Sequence, residues 1–337
     1  MLALALMLSG PVVPPPVAAP LQDAATPARE VEVLRGEAER LRALIETSGA
    51  RRFLAATSAL PTISERVVYV DAKTREALSP AEHAALPAEA RSKYQATSYG
   101  EDFYYLTRSG SPLAYARMLE LIGRAAGEAR ADVLSGKRIL DFGYGGIGHL
   151  RLLASLGCDV VGVDVDPLLH AFYRPEDQGV IANAAPGEPS GRLKLVHGRW
   201  PAEERAESEV GGGYDLFLSK NTLKRGYVRP AQEVAASMRI DLGVPPEEFL
   251  PAVARVLKPG GILALYNLCP AKRTERYIPW AYGESPFTRE EFAAAGFELL
   301  AFDVDDREQA MELGWALQWD DVENDLFAWY TLARRRP

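Results

Sequence analysis

Asp141 and Asp164 bracket a run of glycines, Gly143, Gly145, Gly146 and Gly148, and this grouping has the residue types and spacing to do chemistry. Carboxylates accept hydrogen bonds from hydroxyls and attract cations, while glycines let backbone N–H groups approach a ligand at the start of a helix. The apolar residues before Asp141 (Ile139, Leu140) and before Asp164 (Val160, Val161, Val163) suit buried parallel strands. The segment reads as a strand, a tight loop, a helix and a second strand ending in a carboxylate. That is the outline of a nucleoside-cofactor site, with Asp164 placed to accept from ribose hydroxyls. A plain strand-to-helix turn without a ligand would use the same residues.

The glycines alone leave the cofactor open. Gly143, Gly145 and Gly148 spell the dinucleotide pattern G-x-G-x-x-G, whereas Asp141 extends it to D-x-G-x-G, which resembles the signature of S-adenosylmethionine (SAM) methyltransferases. A carboxylate at the mouth of the loop repels a pyrophosphate by roughly 4 kcal/mol per charge pair at contact distance near a surface. It favours SAM, which carries a sulfonium and an ammonium. The expectation is therefore a SAM site. An NAD(P)-dependent oxidoreductase is the alternative, and a non-catalytic SAM- or nucleoside-binding protein the third reading. No histidine follows His197, which weakens any dehydrogenase or hydrolase that needs a late imidazole.

The rest of the chain must position these groups. Its 337 residues suffice for one large domain and a smaller one. A net charge of -8 and the lack of a long basic cluster argue against a general nucleic-acid binder. Cys158 and Cys269 lack metal-ligand spacing and no histidines stand four apart, so no metal site is expected. Residues 1–28 combine an apolar run (Leu2 to Leu8), a proline-rich stretch and Val17-Ala18-Ala19, which resembles a cleavage site, without a basic leader. They read as an export signal or a disordered tail, which leaves the location open between cytoplasm and export. The apolar run is too short for a membrane span.

Residues 29–130 read as a mainly helical cap or lid. An amphipathic helix is expected over 29–47, a capped helix from Ser79-Pro80, tyrosines at 94, 99, 104 and 105, and a helix opened by Ser111-Pro112. From about 136 the pattern alternates strand and helix, giving seven strands: 138–141, 159–164, 193–197, 214–219, 261–267, 297–303 and 326–332. Pro259 and Gly260 are expected to end the helix before the fifth, and Thr288 to Glu291 to cap a later one.

Four segments in order carry a specific resemblance over 131–337: Asp141-Phe142-Gly143-Tyr144-Gly145, Val163 to Pro167, Tyr214 to Ser219, and Val256 to Leu263. Together they are similar to the class I SAM-dependent methyltransferases, whose Rossmann-like fold is an α/β, seven-stranded, doubly wound, mostly parallel sheet with its last strand inserted antiparallel. The resemblance implies that Asp141, Gly143, Tyr144, Gly145, Asp164 and Val165 bind SAM. Two departures stand out: Ile147 replaces the third glycine, and Gly198-Arg199-Trp200 stands where the family often has glycine-aspartate beside the adenine. Trp200 is expected either to lie on the purine or to pack a loop. Lys220, Asn221, Tyr266 and Asn267, after the fourth and fifth strands, are the catalytic candidates, Lys220 as a base or anion site and the asparagines as positioning groups. The acceptor is expected to be a small molecule rather than a protein. Nucleic acid is disfavoured by the charge and by the lack of an Asn/Asp-Pro-Pro-Tyr motif.

Overall fold

The computed structural model describes residues 29–107, 110–127 and 134–337, so the segment 1–28 lies outside the described residues. A small antiparallel sheet, in order β2-β1-β3, joins β1 (Arg66–Val70), β2 (Ala77–Leu78) and β3 (Gln95–Tyr99). The large sheet follows with β4 (Arg138–Phe142), β5 (Asp159–Asp164), β6 (Gly179–Ile181), β7 (Gly191–His197), β8 (Tyr214–Lys220), β9 (Leu257–Cys269), β10 (Phe297–Asp305) and β11 (Phe327–Arg335). Its order is β10-β11-β9-β8-β4-β5-β7-β6.

Strands β4, β5, β7, β8 and β9 run parallel, and β11 is inserted antiparallel between β9 and β10. The seven expected strands are present. An eighth, the three-residue β6, pairs antiparallel with β7 at the edge. From β4 the chain steps outward to β5 and β7, then returns to β8 on the other side. Strand order thus reverses at β4, which puts a crevice at the carboxyl ends of β4, β5 and β8.

Buried apolar runs explain the layering. On one face Ile139, Leu218 and Ala264 share a cluster with Leu34, Leu41, Phe53 and Leu119 of the cap helices. On the other, Leu140, Phe217 and Leu263 pack with Phe249, Val253 and Phe292. The cap is mainly helical, as expected, but it holds the small sheet as well and shares one core with the large one. Two buried bidentate ion pairs pin it there. Arg66 grips Asp177 (2.6 and 2.9 Å), and Arg117 grips Asp306 (2.9 and 2.6 Å).

Local signals mostly act as expected. Ser79 with Glu82 and Thr288 with Glu291 form complete capping boxes. Boundaries differ in several places, three of them with a clear local form. The first helix stops at Leu41 and continues as a 3-10 turn. Ser111 caps a 3-10 turn, and the α-helix begins at Tyr115. Strand β9 starts at Leu257, four residues before the expected Gly261, because Lys258-Pro259-Gly260 bulges out within it, between the pairs Tyr214/Leu257 and Leu216/Ile262. Asp215 fastens that bulge, accepting from Lys258 Nζ (2.8 Å) and from the Arg138 N–H (2.9 Å).

Candidate functional site

Asp141, next to last in β4, is fully buried. Its Oδ2 accepts from the Tyr115 hydroxyl (2.9 Å) and meets His149 Nε2, while Oδ1 is buried with no partner. The Tyr115 and His149 rings are stacked, with centroids 3.7 Å apart. Tyr115 comes from the cap helix Tyr115–Ala125 and His149 from the helix Gly148–Ala154 that follows the glycine loop.

Asp164 ends β5 half-buried. Its oxygens accept from the Gly145 N–H and the Asp166 N–H, both at 3.0 Å, and each keeps a lone pair. Burial pushes its carboxyl up to about 6. Asp166 rather than Asp164 caps the next helix, accepting from the Leu168 N–H at 2.8 Å. Val165, beside Asp164, is 53% exposed. Tyr144 is buried, its ring against Gly162 of β5.

Four N–H groups of the glycine loop already have partners. The N–H groups of Gly143, Gly145, Gly146 and Ile147 donate to Val163 O, Asp164, Tyr144 O and the Tyr173 hydroxyl respectively. These four offer no free donor to a phosphate. Packing accounts for several of the glycines. A Cβ at Gly143 would lie 2.3 Å from Thr222 Oγ1, one at Gly146 2.9 Å from Leu106 Cβ, and one at Gly148 2.9 Å from Pro112 Cβ. Gly145 is the exception, its nearest neighbour being Leu106 Cδ2 at 3.7 Å. Gly143 and Gly145 both have positive φ, which suits a turn that only glycine enters freely.

The structure separates the catalytic candidates. Lys220 ends β8 on the same face as Asp141, its Nζ 5.6 Å from the centroid of the Tyr115 ring. Burial, reinforced by Lys224, lowers its ammonium to about 8. Asn221 has positive φ and joins strands: its Oδ1 accepts from the Leu268 N–H at 2.8 Å. Asn267 Nδ2 clamps Leu223 O (2.9 Å) and Gly283 O (2.8 Å). Tyr266 is fully buried and donates to Asp306, the carboxylate already gripped by Arg117.

Of the two expectations for Trp200, contact with the purine is overturned. It is 1% exposed and packs in the core against Phe142, Phe217 and Phe249, on the sheet face opposite Asp141, so its ring has no free side for a purine.

Sequence reasoning missed Tyr115 and His149. His149 has no metal-like spacing to mark it, and its place one residue into the helix after the loop aims it back at β4. Nothing in the sequence marks Tyr115 as a partner of Asp141.

The strand order, with β11 inserted antiparallel, is that of a doubly wound, Rossmann-like α/β sheet. No family model and no curated protein sequence matches this chain. It is similar in structure to a SAM-dependent methyltransferase from Geobacter sulfurreducens solved with S-adenosyl-L-homocysteine (TM-score 0.36, 15% identity, covering 65% of this chain and 91% of that one). It is also similar to the N-methyltransferase NodS from Bradyrhizobium japonicum WM9 (TM-score 0.37, 12% identity, 67% and 98% covered). A third similar structure is the [4+2]-cyclase SpnF (TM-score 0.38, 18% identity, 65% and 80% covered). Among the described residues no helix is long and apolar enough to cross a membrane.

Proposed function

We propose that this chain is a SAM-dependent methyltransferase acting on a small molecule. One observation carries the reading: two carboxylates, Asp141 with a bare buried oxygen and Asp164 with lone pairs to spare, flank the loop at Gly145, and the N–H groups of Gly143, Gly145, Gly146 and Ile147 are already paired within the protein. Such a donor set suits a cationic nucleoside and opposes a pyrophosphate.

In this reading Asp141 would hold the ammonium of the methionine end, Asp164 the ribose diol, Gly145 the open face of the loop, and Val165 an apolar edge of the nucleoside. The bound cofactor supplies an electrophilic methyl group. The protein's part is alignment and exclusion of water, and the cap residues Tyr105 and Leu106 over the loop serve the second. Lys220 is the catalytic candidate that retains a free polar head, and a lowered ammonium suits a base acting near neutral pH.

Calorimetric titration with S-adenosylhomocysteine and with NADH tests the reading. The expected result is binding of the first alone. Binding of NADH but not of S-adenosylhomocysteine overturns it in favour of an oxidoreductase. Release of S-adenosylhomocysteine during turnover of a metabolite panel then separates an enzyme from a binding protein.

A further inference from the structure

We propose that Lys220 holds the place of the cofactor's cation beside Asp141 and gives up its proton when the cofactor binds. The inference rests on the reading above.

Asp141 is the anion of this site, and its geometry is lopsided. Tyr115 and His149 both engage Oδ2, which fixes the carboxylate and leaves Oδ1 bare in a fully buried position. The pairing of Asp141 with Leu218 puts Lys220 two residues further along β8 and, by strand alternation, on the same face. Its Nζ lies over the ring of Tyr115, whose hydroxyl binds Asp141. Among the described residues no hydrogen bond reaches Nζ, so the ring face and the field of Asp141 hold the ammonium.

The other charged and titratable groups around it do not compensate a second cation. Lys224, in the loop after β8, is itself cationic and donates to Leu268 O. Tyr266, opposite Lys220 on β9, is committed to Asp306. His149, stacked on Tyr115, meets Asp141 at Oδ2, and Asp164 is bound to Gly145 and Asp166. Asp164 serves the ribose in this reading, so Asp141 is the carboxylate the two cations would share, and an ammonium arriving at Oδ1 competes with the Lys220 ammonium for it.

The lysine is prepared for that exchange. Burial and Lys224 bring its proton affinity down to about 8, so shedding the proton at pH 7 costs about tenfold in affinity. The proton goes to solvent and leaves a neutral amine with a lone pair. When the acceptor's oxygen or nitrogen bonds to the methyl carbon, the carbon–sulfur bond would break with its electron pair left on sulfur, and the acceptor's proton would pass to the lysine lone pair, restoring the ammonium for product release.

The test is titration of the full chain with S-adenosylhomocysteine at pH 7 in phosphate and in Tris, whose ionisation enthalpies differ. The expected result is close to one proton released per molecule bound. Lys220→Met should bind about tenfold more tightly with no release. Lys220→Arg keeps a charge that cannot be shed, and should bind at least about tenfold more weakly with no release. Wild-type binding without proton release overturns the inference. So does release that persists in Lys220→Met, or wild-type affinity in Lys220→Arg. Failure of the wild type to bind S-adenosylhomocysteine at all overturns the cofactor reading beneath it.

Discussion

Leu106 of the cap holds a left-handed backbone, at φ 61°, and sets its Cβ 2.9 Å from where a side chain on Gly146 would begin. The glycine-rich loop and the cap are thus fitted to each other. Gly146→Ala should destabilise the protein by about 1–3 kcal/mol through overpacking. Adding Leu106→Gly, which removes the opposing Cβ, should recover most of that penalty. Urea midpoints for the four members of the double-mutant cycle measure it, and additive losses would mean that the two residues do not meet.

Asp164 should make cofactor affinity depend on pH. Its carboxyl sits near 6, so it is charged, and the better acceptor for ribose hydroxyls, above that value. Affinity for S-adenosylhomocysteine should fall as pH drops through about 6. Asp164→Asn should bind roughly 10–100-fold more weakly at pH 7.5, the loss of one or two hydrogen bonds to a charged group, and should flatten that dependence. A wild-type dependence that survives in the variant would place the ribose elsewhere.

Glu37 should limit stability at neutral pH. It is buried beside Ser111, which donates to it, and burial raises its carboxyl from 4.5 to about 7. A raised folded value means that the folded state holds the proton longer. The contribution is complete below about 4.5 and is lost as pH rises through 7. Glu37→Gln, which needs no proton, should therefore be more stable than wild type above pH 7, by on the order of 2 kcal/mol, with the difference shrinking toward pH 5. Thermal melts across pH 5–8 measure how the gap opens, and a gap that does not change with pH would rule the titration of Glu37 out.

Trp200→Phe should separate core packing from ligand contact. The indole lies among Phe142, Phe217 and Phe249, so shrinking it should cost about 1–3 kcal/mol of stability through a cavity. Affinity for S-adenosylhomocysteine should stay within about twofold of wild type. A large loss of affinity at unchanged stability would restore Trp200 to the site.

The parallel strands were legible because each is a short apolar run ending in a polar residue, and β5 was placed to the residue. Capping boxes were legible because their chemistry is local. The small sheet was not. Its pairing of Arg66–Val70 with Gln95–Tyr99 bridges about 30 residues, and neither strand alternates cleanly enough to announce a partner. At the site, the two carboxylates and the glycines stood in the motif itself, whereas the surroundings of Asp141 depend on Tyr115, 26 residues earlier, reaching it through the packing of a helix. Trp200 was misplaced for the same kind of reason. The sequence places it after β7 but not above or below the sheet.

The two buried arginine pairs carry a consequence for how the site is reached. Arg66 sits on β1, which pairs with β3 just before Gly100, and Arg117 lies in the helix beginning at Tyr115, so both flanks of the segment over the loop are clamped to the large sheet. Removing one partner of such a pair typically costs about 3–5 kcal/mol, so these clamps stay shut under native conditions. In the proposed reading, access to Gly145 would call for local opening of residues 100–107, where Tyr104 also donates to Asp177, rather than for a hinge swinging the cap. In hydrogen exchange, the amides of Tyr104 and Tyr105 should trade deuterium well before those of β3 and of the helix that follows.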